Sequence, residues 1–519
     1  MKRIHVLAPM LLMLGAAATF VGPTVRGTEA ADANATSLRF EVTVAPGLVT
    51  APRSGRLLVV MSRQARPEPR LSIGRTGIEA PPVLGKDWDN LVSGASLTVD
   101  QSAVIFPIAS LGKLPAGEYS VQAVFHDNRD LNLPNAPGNL YSPVQKATLD
   151  PAAGGTLKLE LSQQIPVEEM PKDTDQLKFL KFPSKLLSQF FGRPMYLRAG
   201  VLLPRDFAKE PDRRYPLRVH IGGYGTRFTA VRGFQGRWTT DGTPPMILLH
   251  LDGAGPFGDP YQVNSANQGP LGDAIIQELI PYVEKTFRGI GEPYARFTDG
   301  ASTGGWVSLA LQVFYPDFFN GCWSSCPDPV DFRAYELINI YSDDNAYVNS
   351  FGFERPAMRR INGETVYTVR HECLVEVILG RGNRWELSGK DWCAWNATFG
   401  PRGADGLPVP LWDGKTGKID RSVVERWKMY DIRNVLESNW AKLAPKLHGK
   451  IHIWVGDADD YFLNNAVHLL DDFLSKANPP YGGRIEFAPR RGHGVGWGDA
   501  QIMTEMMAAM ARSRNSAGQ

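Results

Sequence analysis

Ser302 lies between Gly300 and Gly304 and completes the pattern Gly-x-Ser-x-Gly. A serine hydroxyl is a weak nucleophile until a base removes its proton. A β run at Arg296–Thr298 precedes the pattern and a helical run begins at Trp306, which is the strand-turn-helix setting of a nucleophile elbow. The glycines let the backbone segments of a sharp turn approach closely. The pattern therefore predicts a serine that attacks a carbonyl carbon.

A histidine downstream of the serine is needed as the base, and the chain contains 9 histidines. His493 stands in a glycine-rich loop directly after the β run Arg484–Phe487, where its imidazole can face a cleft. His493 is therefore the predicted base, with a structural loop histidine as the alternative. The others considered are predicted to be structural, or at most to shape the site: His220, His250, His452 and His468.

An acid must then hold the imidazole in the correct tautomer. The β run Ile451–Val455 leads into an acidic turn with three aspartates, of which Asp459 is the preferred partner and Asp460 the second choice. Asp457 is predicted to cap the loop. The chain order serine, aspartate, histidine is the one expected of the α/β-hydrolase fold.

Two backbone amides are candidates for an oxyanion hole, which stabilises the negative oxygen of a tetrahedral intermediate. The amide of Thr303 directly follows the nucleophile. The second is expected in the glycine-rich loop after the β run Leu217–Ile221, with the Tyr224 amide preferred and Gly223 in reserve. A phosphate-binding loop is disfavoured, because the segment lacks the P-loop and dinucleotide-binding spacings.

The elements that position these residues alternate between apolar β runs and helical runs from Tyr196 onward, as a mostly parallel sheet flanked by helices requires. An α/β-hydrolase domain is predicted over residues 195–512. The segment 327–443 is rich in Trp, Asn, Arg and Gly and has weak periodicity, so it is predicted to be an insertion over one edge of the sheet. Its tryptophans could stack on a substrate or form a small core: Trp385, Trp392 and Trp395.

From Leu38 to about Leu161 the pattern differs, because Pro and Gly clusters separate short alternating runs that suit strands: Leu38–Val44, Arg56–Ser62, Ser96–Val99, Glu118–Phe125 and Thr156–Leu161. The segment 37–165 is predicted to be an immunoglobulin-like β-sandwich, with Tyr119 in the position of a tyrosine corner. A linker is predicted at 166–194. A spacer and a substrate-binding module are both compatible with this pattern.

Lys2 and Arg3 followed by an apolar stretch predict a signal peptide at 1–33, and hence export to a periplasm or out of the cell. An uncleaved membrane anchor is the alternative, but no stable membrane insertion is expected after cleavage. The chain has 4 cysteines, and an oxidising compartment favours pairing of Cys373 with Cys393 and of Cys322 with Cys326. A zinc site is the less favoured alternative.

Charge excludes some partners. Lys and Arg total 56 and Asp and Glu total 54, so no basic excess is available to neutralise a nucleic acid backbone. The 10% aromatic content excludes disorder over most of the length.

Taken together, these motifs resemble the esterase D-like branch of the α/β-hydrolases, which includes feruloyl and acetyl-xylan esterases and S-formylglutathione hydrolases. The likeness covers roughly residues 196–509 and includes the loop 264–270, the helix ending at Arg288, and the motifs around Ser302, Asp459 and His493. The long insertion and the N-terminal β segment depart from compact members. The resemblance implies no metal or organic cofactor.

The sequence thus predicts an exported serine ester hydrolase that acts through an acyl-enzyme intermediate on a small-molecule or carbohydrate-linked ester. Two alternatives stay open. One is acyl transfer to a sugar or another alcohol, and the other is a non-catalytic binding protein on a hydrolase frame.

Overall fold

The computed structural model describes residues 35–517, apart from positions 78, 239 and 241. The predicted signal peptide at 1–33 lies outside the described residues. None of the helices within them combines the length and the hydrophobicity that crossing a membrane requires.

The N-terminal segment forms two sheets around one core. A three-stranded sheet has the order β4-β1-β9, and a seven-stranded sheet has the order β10-β7-β6-β2-β3-β5 with β8 also paired to β6. Phe40 and Val42 from the first sheet meet Val59 and Phe125 from the second in a shared apolar core. The strands are β1 (Arg39–Val44), β2 (Arg53–Ser62), β3 (Val83–Leu91), β4 (Ser96–Val99), β5 (Val104–Phe106), β6 (Gly117–His126), β7 (Leu140–Tyr141), β8 (Gln145–Leu149), β9 (Thr156–Leu161) and β10 (Gln163–Gln164).

The sequence predicted five of these strands, β1, β2, β4, β6 and β9. It missed β3 because that strand carries Lys86, Asp87, Asp89 and Asn90, which interrupt the apolar alternation. The Tyr119 hydroxyl donates a hydrogen bond to the Pro115 carbonyl at 2.7 Å, four residues upstream.

The C-terminal part is built on one eight-stranded sheet of order β11-β12-β14-β13-β17-β18-β21-β22. β11, β12 and β14 pair antiparallel, and the sheet is parallel from β14 through β22. Its strands are β11 (Leu177–Ser184), β12 (Met195–Leu202), β13 (Leu217–Ile221), β14 (Ile247–Leu251), β17 (Arg296–Ala301), β18 (Cys322–Ser325), β21 (Ile451–Gly456) and β22 (Arg484–Ala488). Two small hairpins pair β15 (Asn264–Ser265) with β16 (Gly269–Pro270), and β19 (Pro356–Arg359) with β20 (Thr365–Thr368).

Helices flank this sheet. A continuous helical segment runs from α3 through a π-helical turn at Ile275–Leu279 into α4, and its apolar residues recur every three or four positions from Ala274 to Phe287. The helices are α1 (Lys185–Phe191), α2 (Gln235–Trp238), α3 (Leu271–Ala274), α4 (Ile280–Thr286), α5 (Thr303–Phe314), α6 (Val369–Leu379), α7 (Asp391–Phe399), α8 (Arg421–Trp427), α9 (Ile432–Leu447), α10 (Leu463–Leu474) and α11 (Asp499–Ala517).

The predicted linker 166–194 is partly wrong. It contains β11, which pairs with β12 over its full length, and α1, which begins where β11 ends. Lys178, Lys181 and Pro183 in β11 suggested a connector. These residues suit a strand at the edge of a sheet, where charges and proline prevent pairing with other chains.

The segment 327–443 is inserted between β18 and β21 and contains α6, α7, α8, the hairpin β19–β20 and most of α9, which ends at Leu447. Trp385, Trp392 and Trp395 are all buried, and the Trp385 ring stacks on Trp412 with centroids 4.8 Å apart. Aromatic packing of this kind gives the insertion its own core.

Candidate active site

Ser302 stands at the turn between β17 and α5. Its φ is 60°, a strained value for a residue other than glycine, which tends to occur at functional sites. A Cβ on Gly304 would lie 2.1 Å from the Ile221 carbonyl oxygen, and a Cβ on Gly300 would lie 2.4 Å from the Gly304 oxygen. Only glycine fits at these two positions, so the sequence pattern reflects real crowding under the serine.

His493 and Asp459 form a hydrogen-bonded pair. The His493 Nδ1 lies 2.8 Å from Asp459 Oδ2, and the Asp459 side chain is fully buried. The second Asp459 oxygen accepts hydrogen bonds from the amides of Tyr461 and Leu463 at 2.9 and 3.3 Å. Burial lowers the pKa of His493, but the hydrogen bonds with Asp459 and Cys326 outweigh burial and raise it overall. With Nδ1 held by Asp459, Nε2 is the nitrogen free for proton transfer.

The other two aspartates of the turn do different things. Asp457 accepts a hydrogen bond from the Arg490 amide at 2.7 Å and so ties the two loops together, in the capping role expected of it. The carboxylate of Asp460 lies against Gly492, where an added Cβ would come within 2.8 Å of its Oδ1. Among the hydrogen bonds of the described residues, only Asp459 of the three joins His493.

Ser302 and His493 line one cavity of about 160 Å³. Within the described part of the chain no hydrogen bond joins them: Ser302 Oγ donates to Asp328 Oδ1 at 3.5 Å, and His493 Nε2 lies 3.8 Å from Cys326 Sγ. Catalytic hydrogen bonds are often long or misaligned before substrate binds, so this geometry is compatible with proton transfer. It requires a rotation of the serine side chain away from Asp328.

Asp328 was missed by sequence reasoning. It follows β18, a strand that the sequence analysis also missed, and it is buried beside the nucleophile. Its Oδ2 accepts hydrogen bonds from the hydroxyls of Tyr261 and Thr303 and from Trp395 Nε1. Burial raises the pKa of Asp328 to about 6 in spite of these donors.

The two predicted oxyanion donors also border the cavity. Thr303 is the first residue of α5, so its amide has no acceptor within the helix. The loop with Tyr224 runs beside the nucleophile, since a Cβ on Gly223 would lie 3.9 Å from Ser302 Cβ. The Gly225 amide donates to Asp259 at 3.0 Å, so it is not free to serve as an oxyanion donor.

The remaining histidines considered by sequence have structural contacts. His220 Nδ1 lies 2.9 Å from Asp299, and His250 Nδ1 lies 2.9 Å from the Leu251 oxygen. His452 stacks on Trp323, and His468 stacks on Phe487.

The predicted disulfides are wrong, because all four cysteines are free and buried. Cys326 donates to the Gly494 carbonyl beside His493, and Cys393 donates to the Glu386 carbonyl. Each of these thiols is held by a neighbouring backbone oxygen instead of a second sulfur.

One set of potential metal ligands occurs within the described residues. Donor atoms of Cys326, Asp459 and His493 lie within 4.8 Å of one another. A metal bound there would replace the hydrogen bond between His493 and Asp459.

The rest of the cavity is acidic and aromatic. Its walls come largely from the insertion, and the side chains beyond Ser302 and His493 include Tyr224, Asp328, Glu336, Tyr367, Glu372, Asp391, Trp392, Trp395 and Tyr461. Trp392 and Trp395, two of the three tryptophans named from the sequence, therefore pack in the core of the insertion and also face the cavity.

A mostly parallel sheet with a serine at a strand-turn-helix elbow and a buried aspartate-histidine pair after later strands is an α/β-hydrolase arrangement. The family model described as "Putative esterase" matches residues 188–479, which is more than half of the chain. The chain belongs to this family, and the protein is a carboxylic-ester hydrolase.

No curated protein sequence matches the chain. Among solved structures, a ferulic acid esterase is 14% identical, with a TM-score of 0.36 over 65% of this chain and 98% of its own. An S-formylglutathione hydrolase from Agrobacterium tumefaciens is 11% identical, with a TM-score of 0.36 over 66% and 98% of the two chains. The serine hydrolase FphF from Staphylococcus aureus is 13% identical, with a TM-score of 0.38 over 64% and 98%.

Proposed function

We propose that the protein cleaves carboxylic esters through an acyl-enzyme intermediate formed on Ser302. The observation that supports this proposal most directly is the strained Ser302 turn sharing a cavity with the His493–Asp459 pair, whose hydrogen bond is 2.8 Å long. In this mechanism Asp459 orients the imidazole and stabilises the imidazolium.

In the first half-reaction, Ser302 Oγ bonds to the ester carbonyl carbon while its proton passes to His493 Nε2. The amides of Thr303 and Tyr224 stabilise the negative oxygen. The carbon–oxygen bond to the alcohol then breaks, and His493 returns the proton to the departing alcohol.

In the second half-reaction, water attacks the acyl carbon and gives a proton to His493. The bond to Ser302 breaks, the acid leaves, and the proton returns to the serine. Removal of one oxyanion donor typically costs about 2.7–4 kcal/mol of transition-state stabilisation.

Labelling with a fluorophosphonate probe tests the nucleophile. The wild-type protein is expected to be labelled and Ser302→Ala to be unlabelled, because the probe reacts with an activated serine hydroxyl. Ser422→Ala is the matched control, since Ser422 is exposed on α8. Equal labelling of Ser302→Ala and wild type would refute the assignment.

Hydrolysis and acyl transfer differ in the acceptor of the second half-reaction. We propose water as the acceptor and a small-molecule or carbohydrate-linked ester as the substrate. Product analysis with water and a sugar in competition distinguishes the two reactions, and a predominant acylated sugar would identify a transferase.

We propose further that residues 1–33 direct export, on the basis of their basic start and apolar stretch. N-terminal sequencing of the protein recovered outside the cytoplasm tests this, and a mature protein that begins at Met1 would contradict cleavage.

The N-terminal segment is proposed to be an immunoglobulin-like domain. The hydrogen bond from the Tyr119 hydroxyl to Pro115 supports this, because it has the form of a tyrosine corner.

A further inference from the structure

Four carboxyl groups face the cavity beside Ser302, each from a different part of the insertion. Asp328 follows β18, Glu336 lies in a turn, Glu372 lies on α6 and Asp391 is the first residue of α7. A site for a neutral acyl or alcohol group needs no such concentration of acids, because burying carboxylates is costly unless they are paired.

One carboxyl oxygen of Glu336 lacks a hydrogen-bond partner among the described residues. Only 3% of the residue is exposed, and its Oε2 has no hydrogen-bond partner within the described structure. It occupies a tight turn in which Tyr335 and Ile338 exchange backbone hydrogen bonds of 2.8 and 3.0 Å. A buried polar atom without a partner normally indicates a missing ligand, ion or water.

The charged groups that act on Glu336 are all carboxyl groups. Burial first, and then the charges of Glu372, Asp328 and Asp391, raise the pKa of Glu336 well above its ordinary value. Lys390 Nζ lies 3.8 Å from Asp391, but its side chain is partly exposed and does not line the cavity. Burial and mutual repulsion thus disfavour the ionised carboxyls, and a positive charge that enters the cavity would stabilise them.

The cavity walls between these carboxyls are aromatic. Trp392 and Trp395 direct their indole N–H groups to Glu372 and Asp328, at 2.9 and 3.3 Å. Tyr461 packs edge-on against the His493 ring, with centroids 5.0 Å apart. Aromatic faces attract ammonium groups, and Lys390 Nζ already lies 5.9 Å from the centroid of Tyr224.

We propose that this cavity is a subsite for an ammonium group, so that the preferred substrates are esters whose acyl or alcohol part carries a positive charge. The inference rests on the proposed function, since it concerns the substrate of the same serine.

A divalent metal ion fits the cavity less well. Hard cations need several oxygen ligands that converge at 2.0–2.6 Å. Within the described residues, the one set of ligating side chains with donor atoms inside 4.8 Å is Cys326, Asp459 and His493, which includes none of the four carboxyls. Widely spaced acids with aromatic walls suit a larger organic cation.

Binding to Ser302→Ala tests the subsite without any chemistry. Choline and 3,3-dimethylbutanol have the same shape, but only choline is charged. Titration calorimetry is expected to show at least about tenfold tighter binding of choline. The difference should vanish in Ser302→Ala/Glu336→Gln and persist in the control Ser302→Ala/Glu364→Gln, since Glu364 is exposed.

Equal binding of the two alcohols, or no binding of choline, would overturn the proposal. Binding of calcium but not choline to the same protein would replace the ammonium by a metal and would also overturn it. Should Glu336→Gln fail to fold by circular dichroism, Glu372→Gln takes its place, and its loss is expected above about pH 8, where Glu372 is charged.

Turnover supplies the second test. The wild-type kcat/KM for acetylthiocholine is expected to exceed that for 3,3-dimethylbutyl thioacetate by at least about tenfold, and Glu336→Gln should bring the ratio near one. A wild-type ratio near one rejects the ammonium subsite while leaving the esterase mechanism intact. Selective choline binding with neither turnover nor fluorophosphonate labelling rejects the mechanism and leaves the subsite.

Discussion

The direction and burial of the carboxylate determine which aspartate bonds to His493. Asp459 and Asp460 are adjacent acids, yet only Asp459 is fully buried and points at the imidazole. Its second oxygen is held by two backbone amides, so its carboxylate is fixed before substrate arrives. Asp460 packs against the histidine loop instead.

Substitution of these two acids separates their roles. Asp459→Asn is expected to lower kcat by on the order of 10³–10⁴-fold, because the wrong imidazole tautomer would be favoured. Asp460→Asn should change kcat little, and it serves as the matched control. Ester turnover of both variants provides the measurement, and the opposite pattern would move the role to Asp460.

The pKa of Glu372 predicts how the preference for a cationic over a neutral ester depends on pH. Burial first, and then Asp391, raise the pKa of Glu372 to about 8, while Lys390 and the Trp392 N–H oppose the rise. Glu336 from the neighbouring turn also interacts with Glu372. The remaining titratable groups of the surrounding walls are Tyr224, Tyr367, Tyr461, Asp328 and His493.

Below its pKa Glu372 is neutral, and above it the group is charged. The ratio of kcat/KM for the cationic and neutral thioesters is therefore expected to rise with pH through about 8. The requirement for a neutral His493 in catalysis applies to both esters alike, so this effect cancels in the ratio. A ratio that falls or stays constant over this range would exclude Glu372 from charge recognition.

The turn from β17 to α5 depends on glycines that lie directly against neighbouring backbone atoms. Gly304 faces the carbonyl oxygens of Ile221 and Gly222, so that α5 packs directly against the end of β13. This close approach brings the Ser302 turn next to the loop that contains Tyr224.

Gly304→Ala tests this packing. The added methyl group would overlap the Ile221 oxygen, and we expect a loss of about 1–3 kcal/mol of stability together with reduced ester turnover. Gly233→Ala is the control, because no atom lies within 4 Å of its added Cβ. Thermal unfolding checks the prediction, and equal melting temperatures for the two variants would contradict it.

The N-terminal sheets pack against the insertion that forms most of the walls of the acidic cavity. Leu58, Val60 and Phe106 share an apolar cluster with Val375 and Ile378 of α6. Arg56 from β2 is buried and donates to the Ile378 carbonyl at 2.9 Å and to Asn383 at 2.7 Å. Because α6 also carries Glu372, the N-terminal segment helps to hold one wall of the cavity.

Arg56→Met tests whether the N-terminal segment stabilises α6 and the cavity wall that it forms. It leaves the buried Ile378 carbonyl without its donor, so a loss of about 1–3 kcal/mol of stability is expected. The KM of a cationic ester should rise as α6 loosens. Arg39→Met, on the exposed side of β1, is the control. Calorimetry and steady-state kinetics test both effects, and unchanged values for Arg56→Met would mean that the two parts are independent.

Local patterns in the sequence were sufficient to predict much of the central sheet and the Ser302 turn. Apolar runs located β13 and β21, and glycine spacing located the elbow at Ser302. These features depend on neighbours a few positions apart. Strands with charges at a sheet edge, such as β11, lacked that signal.

The order of Ser302, Asp459 and His493 along the chain was likewise sufficient to predict a hydrolase site, because the ends of parallel strands meet at one edge of a sheet. Three outcomes depend on tertiary contacts: which aspartate meets the histidine, the unpaired state of the cysteines, and the position of Asp328 and Glu336 beside the serine. Those outcomes depend on where a weakly periodic insertion folds back over the sheet, and contacts between distant segments leave no local pattern in the residues that make them.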